Sequence, residues 1–216
     1  MRLFRMLLVT SLLVPTFPRQ AEAGVGAKSV QGLFAPDECE TVPELLGQWT
    51  GQGVNYSIQQ GQHKNYRMID SDADSKTGNK LVLELCMAHI NGQLFYDATF
   101  QILKTDDTPT LPPEFVVGSG IFAVDIVAGY WVPIHAIGKL EIEKNALHFW
   151  NIDDEWLQGA LKTKLVTVPS AQDDSGEYFL TANSKQLKAL MASLSSIPAA
   201  FSNHEDLSRA MKPIQK

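Results

Sequence analysis

Cysteine is scarce in this chain: Cys39 and Cys86 are the only two in 216 residues. Their separation excludes a catalytic C-x-x-C. Positive charge is scarce too, with 18 Lys and Arg against 24 Asp and Glu and a formal charge of −6. Nucleic-acid binding needs clustered Lys and Arg to neutralise phosphates, so that partner class is excluded. An anionic membrane surface is an equally poor match. No P-loop, dinucleotide fingerprint or H-E-x-x-H is present, and no cofactor is expected. No later stretch reaches the roughly 20 apolar positions that span a bilayer. Internal repeats and low-complexity segments are absent as well.

What is present begins at the first residues. Arg2 and Arg5 flank the start of the apolar run MLLVTSLLV, residues 6–14, and Ala21-Glu22-Ala23 puts small residues at the −3 and −1 positions of a cleavage site. That is the layout of a secretory signal. Residues 1–23 are expected to be removed near Ala23, and the mature protein, from Gly24, to be periplasmic or secreted. No cysteine follows the cleavage point, so no lipid anchor is expected there. Loss of Arg2, Arg5, Arg19 and Glu22 moves the formal charge from −6 to −8. The 193 residues left fit one domain, and a hydrophobic content of 44% is enough for a real core.

In an oxidising compartment an even cysteine count favours a Cys39–Cys86 disulfide, which would stabilise by about 4 kcal/mol in the chain-entropy model. Two separate buried thiols are the alternative.

Residues 24–35 read as a flexible lead-in, 36–197 as a single β-rich domain, and 198–216 as short turns and a mobile tail. Pro36 to Leu46 has room for one or two helical turns, limited by Pro43. Gln48 to Ile58 is expected as one strand, with Trp49 on one face and Tyr56 on the other. Its glycines mark curvature or close backbone approach. Residues 64–69 read as a strand. Asn91-Gly92 is the strongest hairpin signal, since both positions accept the positive φ of a type I′ turn. It fixes a register. One nearly apolar face carries Leu81/Ile102, Leu83/Phe100, Leu85/Ala98, Met87/Tyr96 and His89/Leu94. The mixed face carries Val82/Gln101, Glu84/Thr99, Cys86/Asp97 and Ala88/Phe95. A slip of one residue would destroy that separation.

Phe115 to Ile126 reads as a strand. A second hairpin turns at Lys144-Asn145. It pairs Leu140 with Phe149 and Ile142 with Leu147 on its apolar side, Lys139 with Trp150 and Glu141 with His148 on its polar side. Asp153 is placed to cap a helix with the stripe Trp156, Leu157, Ala160 and Leu161. Lys164 to Pro169 and Glu177 to Ala182 read as strands. Asn183 or Ser184 caps a last helix with Leu187, Leu190, Met191 and Leu194 at i, i+3, i+4 and i+7.

Each candidate site has a bland counterpart. Asp70, Asp72 and Asp74 alternate as calcium ligands do. Ser75 and Leu81 stand where an EF-hand needs Gly and Glu, so a solvated acidic turn is the better reading and no metal site is expected. His135, bracketed by apolar residues, is a candidate ligand, general base or proton switch, set against the commoner structural histidine. Ser119 in Gly118-Ser119-Gly120 lacks the spacing of a nucleophile elbow. Glu141 opposite His148 is a candidate acid–base pair, outweighed by two charges on a wet sheet face. Trp49, Trp131 and Trp150, with Tyr56 and His135, form the candidate ligand-binding set, since aromatic side chains line apolar cavities as well as fill cores.

Two resemblances follow. Leu45-Leu46-Gly47-Gln48-Trp49 resembles the opening of lipocalin-type barrels, where a short helical turn leads through G-x-W into the first strand and the Trp closes the barrel floor. The later signatures of that group, an Asp-Tyr turn and a closing Arg near the last strand, are not found. The succession VPIHAIG, DDEWLQGAL and FLTANSKQL is similar to a family of small secreted bacterial proteins of unknown function. Its V-P-x-H, D-x-x-W-L and L-T-A patterns match Val132, Pro133, His135, Asp153, Trp156, Leu157, Leu180, Thr181, Ala182 and Leu187, with Asn183 in place of Ser or Thr. That similarity implies a shared fold and an extracytoplasmic location, and no activity.

The expected fold is β-rich α+β: an antiparallel curved sheet or lipocalin-like barrel, with two or three peripheral helices covering an open end or edge. The favoured function is a secreted or periplasmic non-enzymatic protein that binds a small apolar or amphipathic ligand in a barrel pocket. One alternative is an envelope interaction or maintenance factor with a protein partner. The other is a hydrolase centred on His135.

Overall fold

The computed structural model describes residues 27–51, 53–70, 80–103, 114–117, 124–127, 134–172, 176 and 178–210. The expected signal segment lies outside the described residues, as do Asp72, Asp74, Ser119 and Trp131.

The described elements begin with β1 (Lys28–Ser29), a 3-10 turn (Pro43–Leu45), β2 (Gly47–Gly51), β3 (Val54–Gln60) and β4 (Tyr66–Asp70). The long hairpin β5 (Lys80–Ile90) and β6 (Gln93–Leu103) follows, then β7 (Glu114–Val117), β8 (Val124–Val127), β9 (His135–Glu143) and β10 (Ala146–Asn151). The remainder is α1 (Asp154–Lys162), β11 (Ser170–Gln172), β12 (Tyr178–Leu180), α2 (Ser184–Leu194), a second 3-10 turn (Pro198–Phe201) and β13 (Asn203–Arg209).

The turn at Asn91 (φ +52) and Gly92 (φ +79) has the backbone that this dipeptide encodes. The β5–β6 ladder runs from Ile90 opposite Gln93 to Lys80 opposite Leu103, in the register expected from sequence. The β9–β10 hairpin also keeps its expected pairs, Leu140 with Phe149 and Lys139 with Trp150. Strands β2, β3, β4, β5, β6, β9, β10 and β13 pair antiparallel in that order, and β13 returns to β2 through Ser208–Thr50 and Arg209–Trp49. The result is a closed eight-stranded barrel, which leaves those strands no open edge.

Side chains alternate across a strand, so the barrel sorts them into two cores. Inside lie Trp49, Tyr56, Ile58, Tyr66, Met68, Leu83, Leu85, Met87, Tyr96, Leu140, Leu147, Phe149 and Leu207. Outside, the helices pack their stripes on Ala88, Phe95 and Ile137. The helices thus cover a face of the barrel, not an open end or edge as expected, because the mixed face of the long hairpin is apolar where they sit. Each has the cap its sequence predicts. Asp153 accepts a hydrogen bond from the Trp156 N–H (2.8 Å), and Asn183 forms a capping box with Gln186.

Several expectations are corrected. Gln48 to Ile58 is two strands; Gly53, at φ +81, lets the chain reverse, so Trp49 and Tyr56 become cross-strand partners on one face. Phe115 to Ile126 divides into the antiparallel pair β7 and β8, with Gly118 and Gly120 in the sequence between them. Lys164 to Pro169 is not a strand. Lys164 (φ +58) ends α1 in a left-handed turn, and the Val166 N–H donates back to the Ala160 carbonyl at 3.1 Å.

The lead-in is not flexible over its described part. Ala27, Lys28, Ser29, Leu33 and Phe34 are buried, and β1 pairs with both β9 and β12. Nor are residues 198–210 a mobile tail: Ala200 and Phe201 are buried, and β13 completes the barrel. Without it the edges of β10 and β2 would keep unpaired backbone groups.

Cys39 and Cys86 form a disulfide, with Cα atoms 5.3 Å apart. It pins the N-terminal segment against the outer face of β5, where the Glu40 N–H also donates to the Met87 carbonyl (2.7 Å). No described helix is long and apolar enough to cross a membrane.

Candidate functional site

The barrel interior has a floor. Trp49 is fully buried, and its indole N–H donates to the Leu45 carbonyl at 2.8 Å. Arg209 lies over the indole, 4.4 Å from the ring centroid, and donates to the carbonyls of Leu46 (3.1 Å) and Glu44 (2.8 Å). A closing Arg on the last strand is therefore present after all. It was missed because it falls in the stretch read as tail.

Further up, the interior turns polar. The Tyr96 ring crosses β9 at Gly138, where a Cβ would meet the tyrosine oxygen at 2.5 Å. Only glycine leaves that passage open. The hydroxyl thereby reaches the Asn151 side chain and donates to its Oδ1. Phe149 sets its ring edge against Tyr96, with centroids 5.3 Å apart. Complete burial holds the Tyr96 hydroxyl well above the usual phenol range, so it acts as a donor.

Glu205 stands one strand away, opposite Phe149 in the β10–β13 ladder. Phe149 and Leu207 face inward, and alternation puts Glu205 on that face with them. It is 3% exposed, and neither carboxylate oxygen has a hydrogen-bond partner among the described residues. Burial first, and then the charge of Asp206, push its carboxyl up to about 7. A buried carboxylate without a donor is rare in folded proteins, because desolvation is not offset.

The side wall carries a cleft of about 420 Å³ where β6 and β9 part beyond the Phe95–Lys139 pair. Leu94, Leu140 and Ile142 form its apolar base, with His89, Lys139 and Glu141 at its rim. Leu140 pairs with Phe149, and Phe149 with Glu205, so the cleft and the carboxylate stand two strands apart, about 10 Å.

The five residues of the expected ligand set are not brought together. Trp49 and Tyr56 share the interior. Trp150 and His135 occupy outward positions, and Trp131 lies outside the described residues. Trp150 stacks on His204 (4.3 Å) beneath Lys139, whose ammonium is 5.2 Å from the ring centroid. His135 Nδ1 meets Asp97 Oδ1 at 2.7 Å, and Asp97 Oδ2 accepts the Leu33 N–H at 2.7 Å. The pair thus holds the N-terminal segment on the sheet. Thr99 Oγ1, at 3.3 Å, meets the same ring nitrogen as Asp97.

The Glu141–His148 pair does not form. Glu141 bonds to Lys139 (2.9 Å), whose ammonium holds its carboxyl below the usual range, and His148 Nδ1 bonds to Asp206 (2.6 Å). Among the described residues no three His, Cys, Asp or Glu side chains are placed to hold a metal ion.

Sequence reasoning missed Glu205, Asn151 and Arg209. One signal pointed to the last: outside residues 1–23, arginine occurs only at Arg67 and Arg209. Compared with known proteins, the chain matches no family model, no curated protein and no solved structure.

Proposed function

We propose that this is an extracytoplasmic binding protein that holds one small amphipathic molecule in its barrel. The carrying observation is the unpartnered Glu205 carboxylate, buried among aromatic rings above an apolar floor. Such an interior is itself amphipathic. Trp49, Met68 and Leu147 make its lower tier apolar, while Glu205 offers an acceptor to a polar head. The disulfide fits an oxidising compartment, in line with the secretory layout of residues 1–23.

A hydrolase centred on His135 has less support. Its Nδ1 is taken by Asp97, whose other oxygen is taken by backbone, and the neighbouring hydroxyl competes for that same nitrogen. An activated nucleophile needs the base's free nitrogen.

The test is titration with the uncharged fluorescent amphiphile N-phenyl-1-naphthylamine, together with native mass spectrometry. Saturable binding at one equivalent, with fluorescence enhancement, is the expected result. Linear, unsaturable uptake and a bare protein mass in every preparation would overturn the reading.

A further inference from the structure

The polar head that fits this barrel is defined by what the interior lacks. The Glu205 carboxylate has lone pairs on both oxygens and no donor against either among the described residues. Among the described residues no cationic side chain forms an ion pair with it. Arg209 belongs to the same strand. Its guanidinium is committed to the Leu46 and Glu44 carbonyls and to the Trp49 ring. Lys139 faces outward onto Trp150 and Glu141. The adjacent charge, Asp206, is of the same sign and repels.

A neutral hydroxyl or amide head would satisfy one oxygen and leave the charge unbalanced. An anionic head would be repelled by the ionised carboxylate. A cationic head supplies donors and charge together, and charge-assisted hydrogen bonds are roughly twice as strong as neutral ones. The surroundings agree. Tyr96 and Phe149 present π-systems within the same tier, a setting in which ammonium groups are stabilised further. Burial raises the Glu205 carboxyl to about 7, and a cation seated against it would offset that desolvation.

Resting on the binding reading above, we propose that the ligand is a cationic amphiphile, a primary or secondary ammonium head on an apolar body, with the ammonium seated against Glu205. The protein would sequester or carry such amines outside the cytoplasm.

The experiment displaces N-phenyl-1-naphthylamine at pH 8 with three chain-matched competitors, octylamine, octanol and octanoate, in wild type and in Glu205→Gln. In wild type, octylamine should displace the probe at a concentration at least about ten-fold lower than octanol, with octanoate weakest. In Glu205→Gln, with the probe's own Kd measured afresh for the variant, octylamine and octanol should become equal. Equal potency of octylamine and octanol in wild type overturns the proposal, as does an amine preference that survives Glu205→Gln. Failure of the probe itself to bind overturns the binding reading, and this proposal with it. A probe that binds with no amine preference removes only the head-group assignment. Should the variant fail to fold by circular dichroism, the wild-type competitor series decides alone.

Discussion

Two buried carboxylates stand on opposite sides of one sheet. Asp97 faces out from β6 under the N-terminal segment and is 4% exposed; Glu205 faces in from β13 and is 3% exposed. Their burial is the same and their company is not. Asp97 accepts from the Leu33 N–H and meets His135, so both oxygens join segments far apart in sequence. Glu205 has no hydrogen-bond partner among the described residues. The outer layer is built as a structural joint, with a disulfide, a carboxylate–imidazole pair and two capped helices. The interior holds a group whose ionisation works against the fold. A chain selected for stability alone would place Leu or Gln there, and the proposed binding role rests on that departure.

That contrast can be broken, and the outer layer offers the largest handle. Replacing both cysteines by serine opens a link between residues 47 apart in sequence and should cost about 4 kcal/mol in urea unfolding. Probe affinity of the molecules that remain folded should not change. A loss of affinity at equal folded fraction would mean that the two regions are not separate in role.

Next, Asp97→Ala should cost about 3 kcal/mol, since it strands the Leu33 N–H and removes the His135 contact. His135→Ala should cost less, because the carboxylate keeps its backbone donor. Equal stability of Asp97→Ala and wild type would erase the contrast from the outer side.

The smallest effect is a sign. The folded value for Glu205, about 7, lies above its ordinary value of 4.5. The folded state therefore holds its proton longer, and wild-type stability should fall as pH rises from about 4.5 to 7, then stay low. The fall attributable to this group is roughly 2 to 3 kcal/mol, and Glu205→Gln should lack it. The other titratable groups facing the site are the Tyr96 hydroxyl from β6 and Asp206, with His148 and His204 hydrogen-bonded or close to Asp206 on the outer face. Those histidines are present in both proteins, so the wild-type minus Glu205→Gln difference curve isolates Glu205. A flat difference would show that the carboxylate has a partner in solution.

Local signals were readable wherever a turn or a cap dictates the geometry. Asn91-Gly92 fixed eleven cross-strand pairs, Asp153 and Asn183 fixed both helix starts, and the cysteine pairing followed from count and compartment. The G-x-W opening placed Trp49 on the floor. Long-range closure was not readable. The β13 sequence NHEDLSR is polar and short, so it looks like tail, and its one inward apolar residue is Leu207. Glu205 occupies an inward slot that binary patterning assigns to an apolar side chain, so the exception that marks the site is also what hides the strand. The lead-in at 27–34 looked loose because it carries no clear period, yet Ala27, Leu33 and Phe34 are buried in it. His135 stood out as a candidate ligand or base set against a structural histidine, and its ring bonds to the Asp97 side chain. That partner, Asp97, was visible only as the outward neighbour of Cys86, and nothing local linked the two.

The Arg209–Trp49 contact carries a consequence for the order of events in the life of the chain. The first wall of the compartment, β2, waits for the last, β13, until nearly all the rest has been synthesised. No closed barrel exists before that seam is sewn. A chain that stops short of residue 203 offers the bare margins of β2 and β10 to any neighbour in the same condition. Fragments of that kind should associate with one another.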